Sequence, residues 1–167
     1  MKHIKSSTLH KTCNYLLGFI FISHMAIGQS IQQEKMEKLH FLIGNWVGTS
    51  TTYENGALNK QTPAFEQITY KLDNSIITLD LHSESLQLHT VIYYDEKEDT
   101  YLYNPYYKEG AAKYVAEYRE GKLVVHPNAE KRFVFTLTAE GKFLEYGEKL
   151  VNGKWVKYFE DIFSRIP

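Results

Sequence analysis

The stretch FLIGNWVGTS, Phe41 to Ser50, sets one glycine two residues before a tryptophan and another two residues after it. At a period of two, Gly44, Trp46 and Gly48 share one face of a β-strand. A large ring between two positions without side chains is what the first strand of a small closed barrel needs at its narrow end. The ring plugs the floor, and the glycines let neighbouring backbone approach and coil sharply. Gly44, Trp46 and Gly48 are therefore expected to build the floor of such a barrel.

The sequence on either side agrees. Upstream, IQQEKMEKLHFL places Ile31, Met36, Leu39 and Leu42 at roughly helical spacing among good helix formers, which predicts one short amphipathic helix over 31–42 lying across the floor. Downstream, β-branched and aromatic runs alternate with turn signals: Glu54–Gly56, Asp73–Asn74, Glu96–Asp99, Glu120–Gly121, Glu140–Gly141 and Asn152–Gly153. Between them ten strands are expected, near 45–53, 64–71, 75–83, 86–94, 100–105, 112–119, 122–127, 132–138, 142–151 and 154–164. Short turns between neighbours make an up-and-down antiparallel meander, and a meander of this length removes its exposed edges by closing. The fold class is thus all-β: an up-and-down antiparallel β-barrel of about ten strands with a short N-terminal helix.

The chain has 167 residues, enough for one domain with a core. Its first residues read as an address label. Lys2, Lys5 and Lys11 precede the apolar run Tyr15 to Ile22, and Ala26 and Gly28 offer small residues for cleavage before Gln29. The expected organisation is a signal peptide over 1–28 and a barrel domain over 29–167, secreted or periplasmic, without stable membrane insertion after cleavage. The single cysteine, Cys13, falls inside that leader, so the mature domain holds no disulfide, zinc-thiolate site or cysteine nucleophile. Removing three lysines and no acid from 19 basic and 20 acidic residues leaves 16 against 20, a net charge near −4. With no basic stripe, nucleic acid is not an expected partner.

The helix running into IGNWVG, with its glycine-x-tryptophan-x-glycine core and the meander after it, resembles the calycin group: lipocalins, fatty-acid-binding proteins and nitrobindin-like barrels. More narrowly, LHFLIGNWVGTS is similar to the opening of small lipocalin-like domains of bacterial secreted proteins. The resemblance implies a barrel that holds a small apolar or amphipathic molecule. It also implies a late-strand arginine or lysine packed over the floor tryptophan, for which Arg165 in IFSRIP is the candidate, through a cation–π contact.

Alternation supplies the candidate lining. In AKYVAEYRE the charged Lys113, Glu117 and Arg119 share the outward face, which turns Tyr114, Ala116 and Tyr118 inward. Ile77, Leu79 and Leu81 face inward by the same reasoning, as do Phe133, Phe135 and Leu137. Tyrosines number 13, and Tyr101, Tyr103, Tyr106 and Tyr107 add phenols near one rim. An apolar interior edged with hydroxyls suits an amphipathic ligand. The expected ligand-binding residues are Trp46, His89, Tyr103, Tyr114, Tyr118, Phe133 and Phe135.

Nitrobindin-like barrels bind haem through a histidine, and the late-strand histidine of those barrels has no obvious match here. His40 lies in the leading helix, His126 precedes Pro127, and His82 sits opposite the apolar face of its strand. His89 shares a face with Val91 and Tyr93, so it points inward if that face is the interior one. No cofactor and no metal are expected. There is no G-x-S-x-G elbow, H-E-x-x-H pair or phosphate-cradling glycine loop, and no catalytic residue is assigned. Glu145, Glu148, Glu160 and Asp161 occupy the last two strands, where a carboxylate pair driven apart in pKa by burial would do acid–base chemistry. They are read instead as charged outer faces of a hairpin. A binding barrel is the leading expectation. A haem-binding or isomerase-type barrel, and a barrel filled by its own aromatics that works through its surface, are the alternatives.

Overall fold

The computed structural model describes residues 30–84 and 86–167; the expected signal peptide lies outside the described residues. The chain opens on helix α1 (Ile31–Glu37), capped by a reciprocal pair in which Gln33 N donates to Ser30 Oγ at 3.1 Å and Ser30 N donates to Gln33 Oε1 at 3.0 Å. It is shorter than the spacing predicts. The backbone leaves the α-helix at Lys38 and resumes as a 3-10 turn over His40–Leu42, which keeps Met36, Leu39 and Leu42 all fully buried.

Eleven strands follow: β1 (Gly44–Glu54), β2 (Ala57–Lys71), β3 (Ile76–Ser83), β4 (Gln87–Asp95), β5 (Thr100–Tyr107), β6 (Gly110–Ala111), β7 (Tyr114–Arg119), β8 (Lys122–Asn128), β9 (Lys131–Leu137), β10 (Phe143–Val151) and β11 (Lys154–Ile166). Each pairs antiparallel with its neighbour. β11 returns to β1, and β4 pairs with both β3 and β5, so ten strands form a closed ring. The two-residue β6 stands outside it, on the end of β5. The fold is a closed ten-strand antiparallel barrel with a short N-terminal helix.

All six turn signals fall at junctions between strands. At Asn55–Gly56, Glu120–Gly121 and Asn152–Gly153 both central residues have positive φ, from 51° to 80°, the backbone of two-residue hairpins whose twist matches that of the strands they join. The second strand begins seven residues earlier than its apolar pattern indicates. Its first half, ALNKQT, is largely exposed, and Pro63 follows directly. β3 ends at Ser83 opposite Ala64, so at Pro63 β2 is paired with β1 alone and its other side is a strand edge, where a proline is tolerated.

One end of the barrel is packed solid. Trp46 is 1% exposed, and its indole Nε1 donates to Leu42 O at 2.8 Å, tying the 3-10 turn to the first strand. Arg165, opposite Trp46 in the β1–β11 register, places its guanidinium 4.8 Å from the indole and donates to Ile43 O. A Cβ at Gly48 would sit 1.9 Å from Ile162 O, so only glycine allows β11 this close to β1. Phe135, Phe143 and Phe163 stack in series above the indole, with ring centroids 6.3 and 5.8 Å apart. Tyr101 and Tyr70 donate their hydroxyls to Lys35 O and Met36 O, fastening α1 over this end. Every strand of the ring runs between this closed floor and an opposite end, and there the packing stops.

Candidate functional site

The open half of the barrel holds a cavity of about 380 Å³. Its walls come from seven of the ten ring strands: Ser50 and Thr52 from β1, Leu81 from β3, Leu88 from β4, Tyr103 and Tyr107 from β5, Phe133 from β9. Glu145 from β10 and Tyr158, Phe159 and Asp161 from β11 complete them, with Leu86 at the β3–β4 turn. The volume lies in the range of small-molecule sites, and the lining matches their usual character: mainly apolar, with a few convergent polar groups. Gly147 makes room for two of those walls. A Cβ there would fall 2.2 Å from the Phe159 ring and 2.8 Å from that of Tyr158.

Two of the polar groups of the lining are carboxyls. Glu145 and Asp161 are directly opposed across the β10–β11 ladder, 6% and 3% exposed, and both line the cavity. Glu66, fully buried on β2, is not part of the lining but lies close enough to raise the pKa of Glu145. Burial pushes Glu66 and Glu145 well above the ordinary carboxylate range, and repulsion from neighbouring acids adds to it. Asp161 is raised by burial to about 6, held from rising further by the Ser50 hydroxyl and the Thr51 backbone N–H. Both oxygens of Glu66 and Oδ1 of Asp161 have no hydrogen-bonding partner from the protein. Beside them Thr90 Oγ1 donates to the Tyr103 hydroxyl at 3.4 Å, and burial raises the Tyr103 phenol well above its usual value. Burial pushes Tyr158 up to about 12.

Of the residues expected to bind ligand, Tyr103 and Phe133 line the cavity. Tyr114 packs edge-on against Phe133, centroids 6.3 Å apart, without reaching the lining. Trp46 and Phe135 belong to the solid floor below. Tyr118 stands at the floor rim, 6.4 Å from the Phe41 ring, on the side away from the cavity mouth. His89 is a correction: the interior face of β4 carries Leu88, Thr90 and Ile92, so His89 points outward, with Nδ1 2.6 Å from Asp80 Oδ1. His40, His82 and His126 are also exposed, so none of these four histidines faces the interior.

The reading of the last two strands as uniformly charged outer faces is corrected too. Glu148 and Glu160 are partnered by Arg132 and Lys157. Glu145 and Asp161 have the opposite parity and turn inward. The signal was in the alternation: Glu145 falls in step with Phe143 and Gly147, Asp161 with Phe163, and Glu66 with Ala64 and Ile68. Each acid occupies an apolar face, and the register confirms it.

No protein-family model matches the chain, and no curated protein matches it. Among solved structures, a protein with unknown function from the DUF3598 family of Nostoc punctiforme aligns with 83% of this chain and 100% of its own, at 9% identity and a TM-score of 0.28. A likeness of that degree carries no argument about function.

Proposed function

We propose that this is a lipocalin-like barrel that binds a small apolar or amphipathic molecule within its open half. The observation that carries the reading is the division of the barrel into a packed floor and a cavity of about 380 Å³ lined by Leu81, Leu88, Phe133, Phe159 and three tyrosines. Side chains that merely filled the barrel would not leave such a volume, since protein interiors pack to crystal density. Burying apolar ligand surface against these walls drives association at about 25 cal/mol per Å². The Tyr103, Tyr107 and Tyr158 hydroxyls and the Ser50 and Thr52 side chains orient the polar end. Trp46, Gly44, Gly48 and Arg165 keep the floor closed, so a ligand enters from the opposite end. The signal-like leader supports a location outside the cytoplasm, where a carrier of this size meets small molecules released from the cell or taken up by it.

The test is titration with N-phenyl-1-naphthylamine, a neutral dye that brightens on leaving water. The protein is expected to take up one dye per chain, and Leu88→Trp, which fills the cavity with an indole, is expected to abolish the signal without lowering the melting temperature. Equal dye binding by both proteins contradicts the reading.

A further inference from the structure

Three acids share the barrel interior with no lysine, arginine or histidine in the cavity lining among the described residues. Their placement contrasts with that of the acids next to them in sequence. Glu148, three residues from Glu145, has the Arg132 guanidinium at 2.6 Å, and Glu160, adjacent to Asp161, has the Lys157 ammonium. On the outside of the same two strands, then, the chain supplies a cation for each of these acids. On the inside it supplies none. Like-charged residues directly opposed in a sheet repel, and a buried carboxylate without a counter-ion is among the costlier groups a fold can carry. Glu145 and Asp161 are directly opposed, Asp161 Oδ1 has no partner from the protein, and Glu66 stands behind them with neither oxygen satisfied.

Resting on the binding-barrel reading above, we propose that the ligand carries a protonated nitrogen, and that the cavity selects small amphipathic organic cations by seating an ammonium group against Glu145 and Asp161. The walls suit such a molecule in two ways. Tyr103, Tyr107, Phe133, Tyr158 and Phe159 offer ring faces that attract a cation and apolar area that buries its hydrocarbon portion. Ser50, which faces Asp161 in the β1–β11 register, offers a hydroxyl for a second N–H. A primary ammonium donates three hydrogen bonds, and charge-assisted bonds to carboxylates are the strong ones.

The proposal carries a proton signature. The titratable groups facing the site are Tyr103 and Tyr107 on β5, Glu145 on β10, and Tyr158 and Asp161 on β11, with Glu66 on β2 buried outside the lining but close enough to raise Glu145. β1, β3, β4 and β9 contribute Ser50, Thr52, Leu81, Leu88 and Phe133, none of which titrates. Burial raises the carboxyls of Glu66 and Glu145 well above their ordinary range and that of Asp161 to about 6, so each favours its protonated form more than a free carboxyl does. A bound cation lowers these values, so binding expels protons into the buffer.

The experiment is calorimetric titration of the intact protein with three molecules of one shape: 3-phenylpropylamine, 3-phenylpropan-1-ol and 3-phenylpropionate. The amine is expected to bind roughly tenfold or more tightly than the alcohol, and the acid not at all. The amine's enthalpy should differ between phosphate and Tris at one pH while the alcohol's does not. Asp161→Asn and Glu145→Gln should each erase most of the preference of amine over alcohol, with a cooperative melting transition reporting that each variant is folded. Equal affinity for amine and alcohol overturns the cation preference and leaves the binding barrel standing. A preference that survives both substitutions overturns the seat assigned to the ammonium. Failure of all three molecules overturns the proposal, and the naphthylamine dye then decides separately whether the barrel binds at all.

Discussion

Asp161 shows how much a single inward position shapes this barrel. Its carboxyl is raised to about 6 by burial, so between the ordinary carboxylate range and pH 6 the folded chain holds a proton that the unfolded chain releases. Stability from this group is full at low pH and is lost as pH rises through 6. Glu66 and Glu145, raised well above their ordinary range by burial, act in the same direction. The melting temperature of the empty protein is therefore expected to fall from pH 4.5 to pH 8, by several degrees. Asp161→Asn should flatten the first part of that fall; a melting temperature that rises with pH over this range contradicts the burial of these acids. The alternation shows their parity, but a glutamate on an apolar face is read as an error of register until the register is known. Glu145 and Asp161 are therefore read as outward-facing from the sequence, and their unpartnered state is not legible at all, because partners come from strands far apart in sequence.

At the scale of elements, the strands and turns were legible because their signals are local: paired positive-φ turns at Asn–Gly and Glu–Gly, period-two alternation, and the Gly44–Trp46–Gly48 plug. The helix was legible only in part. Its apolar spacing runs on through Leu42, yet the backbone tightens after Glu37 into a 3-10 turn that brings Leu42 O within 2.8 Å of the Trp46 indole. Which tyrosines line the cavity depended on which end the helix closes, and tertiary contacts decide that: Tyr101 donates to α1, while Tyr107, six residues along, stands in the cavity wall. The helix is a lid on the floor and not on the mouth. Leu39→Ala, which removes a fully buried side chain from that lid, is expected to cost about 2–5 kcal/mol in urea unfolding while leaving dye affinity within twofold, roughly. A large loss of dye affinity in a folded Leu39→Ala protein contradicts the separation of floor from cavity.

The whole molecule is a closed ring with two halves of different character. Closure leaves the ten strands with paired neighbours, apart from strand ends such as the first half of β2, so the barrel needs neither disulfide nor metal to protect its edges. The lower half spends its aromatic residues on packing, with Trp46, Phe135, Phe143 and Phe163 in one stack. The upper half arranges Tyr103, Tyr107, Phe133, Tyr158 and Phe159 around open volume and sets carboxylates at its side. The composition of the chain, rich in tyrosine and phenylalanine, says nothing of this division, since both halves draw on the same residue types. A ligand site inside the barrel is checked at residue level by amide chemical-shift mapping during titration with 3-phenylpropan-1-ol, whose binding does not depend on a charged group. Saturable shifts concentrated at 50–52, 86–88, 103–107, 145–147 and 158–161 are predicted, with Trp46 and α1 unmoved. Shifts confined to the outer face around Arg132 and Trp155, or none at a concentration where the dye saturates, would contradict a ligand site inside the barrel.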